Sequence, residues 1–168
     1  MTSVTEDGMT YSATSGFVLC ALGLMACGGG GRAVEINPQD AVVGTRWNAT
    51  LATPAGLVGA SQVRGTGWMA QRDRDSTQTR ASVSIENAVP GGRHPWHIHV
   101  GQCGSNGGIL GPPEAYQPLD VGGNGRTEST ADLPLPLPAS GQYYINVHAS
   151  PNNMGTIIAC GNLATPIR

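Results

Sequence analysis

The feature that most constrains the fold of this chain is a period of two residues in its histidine-bearing segments. Four histidines occur in 168 residues, and three of them stand at His94, His97 and His99. In an extended strand alternate side chains share a face. His97 and His99 therefore lie together, while Ile98 and Val100 point the other way, toward a core. The fourth, His148, sits in a run of the same period. Over residues 142–149, Tyr143, Ile145 and Val147 fall on one face and Tyr144, Asn146 and His148 on the other. If the two strands lie side by side, three imidazoles converge on the outer surface of a β-layer. Neutral imidazole suits copper, zinc and nickel, so such a trio is a candidate metal site.

The rest of the chain reads as short strands and turns. Gly 25 and Pro 12 are high for a helical protein, and no segment has a convincing helix start or stop. Strands are predicted at residues 42–51, 61–71, 80–86, 127–133, 142–149 and 156–163. Ala81, Val83 and Ile85 alternate inward against Ser82, Ser84 and Glu86. The alternating charges at residues 72–76 mark a solvated hairpin tip, and Val89, Pro90, Gly91 and Gly92 make a turn into the histidine strand. Residues 104–125 are a long irregular loop, a kind that is usually functional or pinned down. Alternate prolines exclude residues 133–138 from a central strand. They are read as an extended crossover packing its leucines on a barrel end. The predicted architecture is all-β, a Greek-key β-sandwich or flattened barrel.

The length supports one domain with a real core. With few charged residues and a formal net charge of −2, nothing points to nucleic acid. Residues 1–27 read as a signal, lipoprotein or membrane-anchor segment, 28–40 as a flexible linker, and 41–168 as the β domain. The apolar run 16–26 is too short to span a bilayer alone and resembles a signal-peptide core. Leu24, Met25, Ala26 and Cys27 resemble a bacterial lipobox, in which Cys27 is lipidated. No lysine or arginine precedes the run, and Glu6 and Asp7 do, which departs from the usual pattern. The expected location is the periplasmic side of a membrane in the bacterial cell envelope.

The pattern H-x-x-H-x-H, then a cysteine, then V-H, then A-C-G resembles Cu/Zn superoxide dismutase over roughly residues 60–165. The resemblance implies that His97, His99 and His148 are copper ligands and that His94 bonds backbone to hold the loop around them. It also implies a disulfide between Cys103 and Cys160, the folded domain's remaining pair once Cys20 and Cys27 are assigned to the N-terminal segment. An even pair in an exported domain reads the same way, against the alternative of two buried thiols. Water, Met154 or Tyr144 are candidates for a fourth ligand, although neither side chain has a ligand counterpart in the family. The role of Trp96 stays open.

The middle of the resemblance is eroded. The family's bridging histidine and zinc-binding histidines would fall between Cys103 and His148, where this chain has none. Asp120 and Asp132 alone do not make an ordinary zinc site, so no zinc is expected. Ile157 stands where the family has the arginine that guides superoxide. Three functions follow: a copper-binding protein of the envelope, an extrinsic structural subunit of a membrane complex, or a copper-only superoxide dismutase. The loss of catalytic parts favours the first two.

Overall fold

Burial alternates along strand residues 47–52 as the sequence pattern requires. The histidine-bearing strands are instead buried on both faces over residues 96–98 and 144–148, and together these strands build an all-β fold. The computed structural model describes residues 46–57 and 62–165. The expected signal or anchor segment, Cys27, the linker and residues 42–45 of the first predicted strand lie outside the described residues. Among the described residues no helix is long and apolar enough to cross a membrane.

The strands are β1 (Trp47–Ala52), β2 (Arg64–Arg72), β3 (Asp75–Glu86), β4 (Arg93–His94), β5 (Trp96–Val100), β6 (Leu119–Asp120), β7 (Thr127–Leu133), β8 (Tyr143–Ser150) and β9 (Asn153–Leu163). Seven of them form one antiparallel sheet in the order β5-β8-β9-β1-β2-β3-β7, which curls into a half-barrel. β4 and β6 form a separate ladder, with β4 against β8 and β6 against β7.

The concave face carries the core. Trp47 and Leu51 of β1, Met69 of β2, Val83 and Ile85 of β3, Trp96 and Ile98 of β5, and Ile145 and Val147 of β8 are all buried there. Gly67 lies on β2 where a Cβ would run into Ile145 Cδ1 of β8. The missing side chain lets the far wall of the curl approach. The 133–138 crossover is tied at both ends: Thr79 Oγ1 donates to the Leu135 carbonyl (2.9 Å) and Trp47 Nε1 to that of Pro138 (3.1 Å). Leu135 and Leu137 pack on the core, as the proline pattern predicts. The charged tip at Asp73 and Arg74 joins β2 to β3, and Arg80 pairs with Asp132 at 2.8 Å beside it.

Three expectations are corrected. Val100 does not enter the core; it is 50% exposed, because it ends the edge strand of the sheet, where the 107–110 loop bonds its backbone but leaves its side chain in solvent. Ser82 is buried instead of outward, flanked in register by Trp68 and Thr130, with its hydroxyl donating to Glu128. The 104–125 loop is not wholly irregular, since it holds a 3-10 turn at Pro113–Ala115 and the short β6.

Candidate metal centre

β5 and β8 are hydrogen-bonded neighbours, with His97 opposite Asn146 and His99 opposite Tyr144. This register places His148 diagonally across from His97 on the same face. A register shift between Val147 and His148 marks a bulge, a device that re-aims a side chain. The three imidazoles offer ligand atoms that all lie within 4.8 Å of one another. Their ring centroids are 5.4–6.2 Å apart. Two nitrogens on one tetrahedral metal, each at about 2.0 Å, sit roughly 3.3 Å apart. The contact between His97 Nδ1 and His148 Nε2, 3.4 Å, already has that length. The trio is not on an open surface, however: His97 and His148 are buried and His99 is half-buried.

The protons are placed by the backbone. His148 Nδ1 donates to the Met154 carbonyl (2.6 Å), which leaves Nε2 as a lone pair facing the cluster. His99 Nδ1 donates to the Gly107 carbonyl (2.8 Å), and its Nε2 is buried with no partner. An unpaired buried nitrogen costs free energy, so this atom is suited to an acceptor of its lone pair. His97 Nδ1 must then carry the proton it shares with His148 Nε2, and a metal binding there requires that proton to move to Nε2. His94 Nδ1 donates to the carbonyls of Ala149 (2.8 Å) and His148 (3.1 Å). His94 thus braces the backbone that carries His148 and does not join the cluster.

Burial, followed by the neighbouring imidazoles of His148 and His99, holds His97 down to about 4. Burial likewise lowers His148. Both are neutral near pH 7, the form that binds metal. The same shifts make the metal-free fold sensitive to acid. Between the ordinary histidine value of about 6.5 and the folded value of His97 near 4, the unfolded chain takes up protons that the folded one refuses. The stability contributed by a neutral His97 is complete above pH 6.5 and is lost as pH falls toward 4. A urea midpoint of the metal-free protein is expected to drop over this window, and less so in His97→Gln.

Two aromatic residues complete the site around the histidines. Tyr144 stacks on His99 (5.2 Å, 21°), and its hydroxyl accepts from Gly107 N–H at 3.2 Å. Tyr116 comes from the long loop and packs edge-on against both His97 (5.2 Å) and Trp96 (5.0 Å). The face assignment of Tyr144 already puts it beside His148, whereas nothing in the aperiodic loop signals Tyr116. Trp96 is a core residue, with Nε1 donating to the Gln117 carbonyl at 2.8 Å.

Cys103 and Cys160 are joined by a disulfide. It fixes the start of the loop that brings Gly107 to His99. Cys103 N–H is also held by Asn162 Oδ1 at 2.8 Å. Asp120 and Asp132, the carboxylates weighed for zinc, are paired with Arg93 and Arg80 at 2.8 Å each. A cleft of about 760 Å³ opens beside His99 and His148 and is lined also by Asn146, Met154 and Ile157. Among the described residues no charged side chain lines it. Asn146 Oδ1 is buried there without a partner. Cys27, the expected lipidation site, falls outside the described residues. No protein-family model matches the chain, and no curated protein matches its sequence.

Proposed function

We propose that this chain is a copper-binding protein built on a Greek-key fold of the Cu/Zn superoxide dismutase type and held on the periplasmic side of a bacterial membrane. The observation that carries the reading is the set of three inward-facing nitrogens, one of them, His99 Nε2, buried with no partner. His97, His99 and His148 would hold the ion, with His94 bracing the strand behind them. Copper supplies a redox-active centre with an open position when three imidazoles bind it. Three connections, β3 to β5, β5 to β7 and β7 to β8, join strands that are not neighbours in the sheet, which supports the Greek-key assignment. The disulfide supports an oxidising compartment, and the N-terminal segment or a lipid on Cys27 would provide attachment.

Catalytic dismutation is not part of this reading. Ile157 lines the cleft where a guiding cation would sit, and among the described residues the cleft has no lysine or arginine to draw in superoxide. The test is superoxide consumption by desalted, copper-loaded protein. The expected rate is close to background and no higher than that of a His148→Ala variant treated alike. A fast rate that His148→Ala abolishes would instead establish a copper-only dismutase. No copper retained, together with stable co-extraction of other membrane proteins, would favour the extrinsic structural subunit.

A further inference from the structure

We infer that Met154 supplies a thioether ligand that lets the three-histidine centre hold copper(I). The inference rests on the copper reading above and adds the oxidation state and the residue that selects it.

The bulged backbone of β9 carries the case. Its register runs from Ser150↔Asn153 to His148↔Ile157, so β9 uses four residue steps where β8 uses two. The surplus lies at residues 154–156, directly beside His148. Bulges of this kind commonly stand next to functional sites, where they redirect a side chain. Met154 is fixed there by its own carbonyl, which accepts the His148 Nδ1 proton at 2.6 Å. Its side chain, 38% exposed, lines the same cleft as His99 and His148. A half-exposed methionine contributes little to a core. Unbranched and flexible, it can swing toward an ion or away from it.

The chemistry of the cleft points to the monovalent ion. Imidazole and thioether ligands bring no negative charge, and among the described residues no carboxylate lines the cleft to offset a second positive charge. A soft thioether favours copper(I) over copper(II). The cysteines that share the cleft are tied up in their disulfide, and Met69 is wholly buried in the core. Among the described residues Met154 is thus the accessible sulfur.

The test uses the full chain carrying Cys20→Ser and Cys27→Ser, so that thiols outside the described region do not compete, with and without Met154→Leu. Leucine keeps the volume, and the disulfide is verified intact by thiol assay. Copper(I), generated with ascorbate, is titrated against bicinchoninate, and copper(II) against a glycine competitor. The Leu variant is expected to bind copper(I) about tenfold more weakly with copper(II) affinity unchanged. X-ray absorption at the copper edge is expected to show a sulfur neighbour in the parent chain that the variant lacks. Copper(I) held by the parent with no sulfur neighbour, or equal weakening of both oxidation states, overturns the Met154 assignment and leaves the histidine site standing. Failure of the parent to bind either form of copper overturns both.

Discussion

Replacing His148 by alanine is expected to lower copper affinity at least about a hundredfold, or some 2.8 kcal/mol, while the fold stays intact. His148 is the only proposed ligand contributed by β8. Without it His97 and His99 remain as a pair on one strand, with the cleft at their side. The backbone brace survives the change, because His94 bonds the main-chain carbonyls of residues 148 and 149 and not the imidazole. Competition titration measures the loss, and a urea curve checks the fold. His94→Ala is expected to behave differently. It removes the brace and leaves all three ligands, so it should cost stability and weaken copper binding less. If His148→Ala bound copper as tightly as the parent, the site would have to lie elsewhere.

The second large effect is expected from removing the disulfide. The cysteines are 57 residues apart, and closing such a loop contributes about 4 kcal/mol in the chain-entropy model. The paired change Cys103→Ser and Cys160→Ser is therefore expected to shift the denaturation midpoint strongly. It should also reach the metal site. Cys103 anchors the start of the loop that carries Gly107, whose carbonyl sets the His99 proton and whose N–H bonds Tyr144. Gly107 packs so tightly on Val100 that a Cβ would fall into that residue's carbonyl. Such close packing tolerates little displacement, so a small shift of the released loop disturbs both bonds. Copper affinity is expected to fall along with stability. A midpoint unchanged from the parent would mean that the bridge contributes nothing to folding.

The period-two pattern makes the site largely legible in the amino-acid sequence alone. His97, His99 and His148 share a face because strand geometry leaves no other arrangement once β5 and β8 pair in register. The crossover at residues 133–138 is readable because proline removes ladder donors at alternate positions. What the pattern does not reveal is how each face is covered. Alternation assigns Val100 to the core side but is silent about β5 being an edge, so the residue is exposed. It assigns Ser82 outward but does not show Trp68 and Thr130 flanking it. Tyr116 reaches His97 from a loop without periodicity, where only three-dimensional closure determines contacts. The β9 bulge beside Met154 also has no local signature, since it is a mismatch between two strands and belongs to neither sequence alone. The expected flattened barrel takes the form of one continuous curled sheet, with the two-residue strands β4 and β6 too short to signal themselves.

The most direct test of the central claim is electron paramagnetic resonance of the full chain after addition of one equivalent of copper(II). A converging imidazole trio gives a single bound species whose signal is coupled to several nitrogens, and His148→Ala should lose part of that coupling. Copper left free in solution, or bound with a nitrogen coupling that does not change in His148→Ala, would contradict the site.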